Sequence, residues 1–188
     1  MTRGAAAQAA WSVGADGWLA AARAVPSPNR DARPAGSDAE LLVVHCISLP
    51  PGCYGGEGVE RFFTNALDHD AHPFYSHLRG VRVSAHFLIA RDGALTQFVS
   101  CRERAWHAGV SAWEGRPACN DFSIGVELEG SEFDAYTEPQ YATLARLHGA
   151  LCAAFPLRAV RGHSEIAPGR KSDPGPFFDW SRIARDHR

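Results

Sequence analysis

The chain has no run of about eighteen apolar residues, no CxxC pair, no HExxH motif and no excess of basic residues. Each absence removes a class of function. Without a long apolar run, no membrane-spanning helix and no membrane partner is expected. Lys and Arg number 19 against 21 Asp and Glu, so the charge of -2 lacks the positive balance that phosphate backbones demand. Nucleic acid is therefore not an expected partner. The five cysteines, Cys46, Cys53, Cys101, Cys119 and Cys152, are odd in number and widely spaced, which fits a reducing cytoplasm. The first ten residues, MTRGAAAQAA, carry one arginine and small side chains but no apolar core of the length a secretory signal needs. Residues 1–15 are expected to be a disordered or mis-started extension.

What is present suits one domain. At 188 residues, 45% hydrophobic and 21% charged, the chain can bury roughly two thirds of its unfolded surface without help from a disulfide or metal. No internal repeat is visible. GWLAAARAV (17–25) reads as helical and is followed by a proline-rich approach. Leu41 to Val44, four apolar residues, reads as a strand buried on both faces, with His45 where it ends. SLPPGCYGGEG must be loop. Val59 to Leu67 reads as a short helix, then a loop, then a strand from Val83 to Ile89. Asp92-Gly93 signals a hairpin to a partner strand at Ala94 to Val99. A further strand, Phe122 to Leu128, precedes a helix opened by Thr137 as N-cap, with Gln140 three residues on. Tyr141, Leu144, Leu147, Leu151 and Phe155 fall on one face of that helix. A short strand, Arg158 to Arg161, delivers His163. The expected class is α/β, a single domain with a central mixed β-sheet flanked by helices.

The chemistry concentrates in GHSEIAPGRKSDPG (162–175), where His163, Lys171 and Asp173 share one Pro/Gly-stiffened loop. An imidazole, an ammonium and a carboxylate so close together point to hydrolysis at a metal. With His45 as a third donor, one open position would remain for water, the arrangement of a catalytic zinc. Spacing alone is weak evidence for this set, because the three residues are not close in sequence. His69, His72 and His77 form a rival cluster, read as loop residues without a ligand role. His86 reads as a packed core histidine. Cys46 beside His45 could act as a thiol nucleophile, but neighbours on an extended chain point to opposite faces. Glu127 and Glu129, two apart on a strand, share a face, and periodicity cannot choose between them. His148 and Cys152, four apart on the amphipathic helix, are explained by packing.

Five runs resemble one family: LLVVHCISLPPG (41–52), RVSAHFLIARDG (82–93), RAWHAGVS (104–111), CNDFSIGVELEG (119–130) and GHSEIAPGRKSDPG. They occur in the same order and with close spacing in the zinc N-acetylmuramoyl-L-alanine amidases of peptidoglycan recycling. That superfamily is shared with a phage lysozyme and the peptidoglycan recognition proteins. The resemblance runs from about Gly17 to Trp180 and implies the same fold, with residues 16–181 as a zinc amidase domain and 182–188 as a solvated tail. It implies one zinc per chain on His45, His163 and Asp173, an acidic catalytic residue at Glu127 rather than Glu129, and a catalytic lysine at Lys171.

The implied reaction cleaves the amide between the lactyl group of 1,6-anhydro-N-acetylmuramic acid and L-alanine of the stem peptide. The partner is a small-molecule muropeptide, the location cytoplasmic, and no obligate protein partner is evident. Trp106 and His107 match the family's substrate-lining segment, where an indole can pack on a sugar face. Arg82 matches a position that pairs with a stem-peptide carboxylate. Two departures bear on peptide contacts: Cys46 stands where relatives carry asparagine, and Ala118 where a basic residue is expected. The alternatives are a non-catalytic peptidoglycan-binding module and a broader amidase acting on intact murein.

Overall fold

The computed structural model describes residues 11–187. Ten strands are present among them. β1 (Arg23–Ala24), β3 (Leu41–Ile47), β4 (Phe87–Ile89), β5 (Leu95–Gln97), β9 (Ser123–Glu129) and β10 (Ala159–Gly162) form the main sheet, in the order β1, β5, β4, β9, β3, β10. β2 (Arg30–Ala32) pairs with β6 (Glu103–Ala105), and β7 (Ala112–Trp113) with β8 (Arg116–Pro117). The main sheet is mixed because the Asp92-Gly93 turn reverses the chain between β4 and β5. Its other pairings are parallel. The central strands β3 and β9 are covered on both faces, which explains why β3 reads as a continuous apolar run.

Three helices follow from local signals. α1 (Gly58–Phe63) buries Val59, Phe62 and Phe63. α2 (Glu138–Ala154) begins at the expected cap: the Thr137 hydroxyl accepts from the Gln140 N–H, and the Gln140 side chain answers at the Thr137 N–H. Its face of Tyr141, Leu144, Leu147, Leu151 and Phe155 is buried against Leu42, Val44, Ile124 and Val126. α3 (His163–Ile166) is a single turn that continues β10. Strand alternation then places Leu41, Val43 and His45 on the side of β3 away from α2. That side carries the functional groups.

Four expectations need correction. Residues 17–25 are not helical: Gly17 has φ 81, and the buried Gln97 amide captures the backbone instead. Gln97 accepts from the Leu19 N–H at 2.8 Å and donates to the Gly17 carbonyl at 2.9 Å. His45 lies within β3 rather than past its end, because pairing with β9 continues to Ile47. The expected extension 1–15 falls, for residues 1–10, outside the described residues; from Trp11 the chain packs on the core, with Val13 bridged to Leu19. Residues 182–187 are not a loose solvated tail. Ile183 is buried, and the N–H groups of Val160 and His187 donate to Arg185 and Arg158 across the free edge of β10.

Candidate active site

Parallel register sets His45 of β3 directly beside Glu127 of β9. β10, on the other flank of β3, feeds His163 to the same end of the sheet. Gly162 is what lets the loop return: a Cβ there would stand 2.9 Å from Cδ of Pro174. The Ser164 N–H donates to the Asp173 carbonyl at 2.9 Å, clipping the two ends of the 163–173 segment together. Three residues distant in sequence thus converge. His45 Nδ1 lies 2.9 Å from His163 Nδ1 and 3.0 Å from Asp173 Oδ2, and His163 Nδ1 lies 3.1 Å from the same oxygen.

Hydrogen-bond partners assign the protons of His107 and His45. Nε2 of His163 is 3.1 Å from the Ala108 carbonyl and 3.3 Å from Nη2 of Arg170, which donates to that carbonyl at 2.6 Å. On the other side, the Ser123 hydroxyl donates to the Cys119 carbonyl at 2.6 Å and therefore accepts from His107 Nε2 at 3.2 Å. His107 Nδ1 is then an acceptor, 2.9 Å from His45 Nε2. His45 must donate there, which leaves its own Nδ1 bare. The bare Nδ1 of His45, Nδ1 of His163 and Oδ2 of Asp173 thus face one another at 2.9–3.1 Å, three atoms of types that ligate a metal ion. Their spacing is close to the roughly 3.3 Å between ligands of a tetrahedral zinc with bonds near 2.0–2.1 Å. The donor set fits a metal ion.

Burial lowers His45 to about 4, more than Asp173 beside it can offset, so the ring stays neutral and able to ligate. For Asp173 the balance is reversed. Burial works against its charge, but hydrogen bonding, that with His163 foremost, outweighs it and holds the carboxyl well below the usual range. Glu127 behaves in the opposite way. Burial, reinforced by the negative charge of Asp173 and opposed by Lys171, raises it well above the ordinary value of 4.5. Its Oε2 has no hydrogen-bond partner although it is buried. Such an atom costs stability unless something else uses it.

These groups line a cavity of about 540 Å³ that also includes Trp106, His107, Lys171, Phe62 and Val83. Arg82 does not line it: this side chain is exposed, although its neighbours Val81 and Val83 are part of the wall. His107, expected on the substrate, lines the cavity with both ring nitrogens engaged, by His45 and Ser123, so that it also buttresses His45. Glu129 is also accounted for, since its carboxylate oxygens accept from the backbone N–H groups of Gly55 and Arg91. Burial raises the Cys46 thiol to about 12, which removes the nucleophile that a cysteine mechanism needs. His86 is a core residue, its Nδ1 accepting from the Gly125 N–H and its Nε2 facing the Glu103 carbonyl. His69 and His72 serve Tyr75 and Phe74 of their own loop.

Two supports escaped the sequence. Asn120 accepts from the N–H groups of His107 and Ala108 and so holds the 104–111 segment in place. Gly125 leaves room for His107, because a Cβ at that position would come within 2.5 Å of the imidazole. A glycine inside a strand is the only trace such a close approach leaves in the sequence. Gly125→Ala is expected to displace His107 from His45 and weaken zinc binding about 10- to 100-fold. Competition with a chelating dye measures this, and an unchanged affinity would show that His107 does not hold the ligand.

Comparison with known proteins agrees with this geometry. Residues 35–176 match the family described as N-acetylmuramoyl-L-alanine amidase. The 1,6-anhydro-N-acetylmuramyl-L-alanine amidase AmpD of Citrobacter freundii is 54% identical over 170 residues, covering 89% of this chain and 91% of that protein. A crystal structure of a selenomethionine AmpD derivative superposes with a TM-score of 0.86 at 53% identity, covering 89% of this chain and 94% of the other. The amidase AmiD from E. coli, solved with anhydro-N-acetylmuramic acid-L-Ala-D-gamma-Glu-L-Lys, is 28% identical with a TM-score of 0.57, covering 80% of this chain and 58% of that one.

Proposed function

The chain belongs to the N-acetylmuramoyl-L-alanine amidase family, and from this we infer that it hydrolyses the amide joining the lactyl group of 1,6-anhydro-N-acetylmuramic acid to L-alanine in peptidoglycan recycling. The observation that carries the mechanism is the pairing of an ionised and a protonation-prone carboxyl in one cavity, Asp173 and Glu127. Opposite shifts support opposite roles for the two. Asp173, His45 and His163 would hold zinc. When bound, the ion supplies Lewis acidity, polarising an amide carbonyl and acidifying water.

The chain's own residues do the rest. Glu127, with Oε2 free, takes the proton of the attacking water and returns it to the leaving amino group of L-alanine. Its raised affinity for a proton suits the second half of that shuttle. Lys171, lining the same cavity, faces the oxyanion of the tetrahedral intermediate, a contribution of about 2.7–4 kcal/mol for one preorganised donor. Trp106 offers an apolar wall to the sugar. Arg82, outside the cavity, would meet only the far end of a stem peptide that extends past Val81 and Val83. The products are the anhydro sugar and the free stem peptide.

A cytoplasmic location is part of the same proposal. All five cysteines are free, and Cys53 and Cys152 are exposed, as a reducing compartment permits. Among the described residues no helix is long and apolar enough to cross a membrane.

The test compares hydrolysis of anhydro-muramyl tripeptide, its reducing-end form and intact murein by the zinc-loaded protein. The anhydro substrate is expected to be cleaved with the highest kcat/KM. Binding without cleavage of any of the three would make this a recognition module, and preferential cleavage of murein would make it a broader wall amidase.

A further inference from the structure

A second group of potential ligands lies outside the catalytic cavity. His148 and Cys152 stand one turn apart on α2, and His187 reaches them from the last described residue. None of the three lines the cavity or enters the proposed reaction. Nε2 of His148 is 2.9 Å from Nε2 of His187, and Sγ of Cys152 is 3.3 Å from the first and 3.8 Å from the second. In a tetrahedral zinc site, bonds near 2.0–2.1 Å to nitrogen and 2.3 Å to sulfur put ligand atoms about 3.3 Å apart for N and N and about 3.6 Å apart for N and S. The triangle has the right size and the right donors.

Its third corner is held by backbone. The His187 N–H donates to the Arg158 carbonyl at 2.8 Å, Asp186 bridges to Ala159, and the Asp186 carboxylate pairs with Arg161. His187 is thus carried along the edge of β10 into register with α2. His148 is buried, and burial together with the neighbouring His187 keeps its ring neutral down to about 4, so a lone pair is available at neutral pH. Cys152 is exposed and leaves one side of the triangle open to solvent.

We propose that His148, Cys152 and His187 form a second zinc site, with its fourth position open to water, that clamps the C-terminal segment to α2. The donor chemistry, two imidazoles and a thiolate, selects zinc and similar borderline ions such as cobalt or nickel over magnesium or calcium. Binding converts the Cys152 thiol to a thiolate, with one proton released to solvent per ion bound. The clamp adds to the amidase reading and does not depend on it, because the cavity triad contains no sulfur ligand.

Cobalt(II) separates the two sites. Full-length, metal-stripped protein titrated with cobalt under a phosphine reductant is expected to develop a thiolate-to-cobalt charge-transfer band in the near ultraviolet, which zinc then abolishes. The band is expected to vanish in Cys152→Ser and to need at least tenfold more cobalt in His187→Gln. Zinc content is expected to fall from about two per chain to about one in Cys152→Ser, with amidase activity unchanged. No thiolate band in the wild-type protein overturns the proposal. So does a band that survives Cys152→Ser, which would place the thiolate at another cysteine, or a zinc content the same in both proteins.

Discussion

Asp173→Ala is expected to strip the catalytic zinc and leave no measurable turnover. Asp173 is the only anion in the triad and lies within 3.0 and 3.1 Å of the two imidazole nitrogens. Its loss leaves two neutral donors around a dication, and the effect should exceed the 10- to 100-fold cost of losing a hydrogen-bond partner to a ligand. Measured in a Cys152→Ser background, so that only the cavity can hold an ion, zinc should fall from about one per chain to none after dialysis. His163→Ala should behave in the same way. A variant at Asp173 that kept its zinc and its activity would remove this residue from the metal site and the mechanism with it.

Glu127→Gln should have the second largest effect, and a different signature. Zinc stays bound, because Glu127 is not among the three converging ligands. Turnover should fall about 10²- to 10⁴-fold, the range for loss of a general acid–base group. Stability should move the other way. Glu127 is raised above 4.5 in the fold, so its contribution to stability is complete below about pH 4.5 and is withdrawn as pH rises through the folded value. Glutamine carries no such liability. Metal-free Glu127→Gln should therefore melt at a higher temperature than metal-free wild type at pH 8, with the gap closing towards pH 5. Equal melting curves at pH 8 would mean that the carboxylate is not penalised by burial. Full activity of Glu127→Gln, with a dead Glu129→Gln, would transfer the proton shuttle to the other glutamate.

That choice between the two glutamates shows where the sequence stopped. Both lie on one face of β9, and alternation treats them alike. The difference is what surrounds them: Gly55 and Arg91 occupy the oxygens of Glu129, while Oε2 of Glu127 is left open in the cavity. The helix expected at 17–25 failed for a related reason. Its local propensity was adequate, but the Gln97 side chain, far along the chain, offered Gly17 and Leu19 better-placed partners than a helix could. His107 shows the same limit, since its motif places it at the site but only the missing Cβ of Gly125 lets the ring stand behind His45.

The cap at Thr137, the apolar face of α2, the Asp92-Gly93 reversal and the buried strand at Leu41 were legible because each depends on residues within a few positions of one another. The candidate donors could be named as well, since His45, His163, Asp173, Glu127 and Lys171 have side chains suited to the roles proposed for them wherever they lie. By itself, then, the sequence determined which chemistry the chain carries and which local elements it builds. Only the tertiary structure decided which donor atoms face each other, which carboxyl stays ionised and which hydrogen His45 and His107 keep. Those depend on burial and on partners brought together by the parallel register of β3, β9 and β10, and no local pattern encodes them.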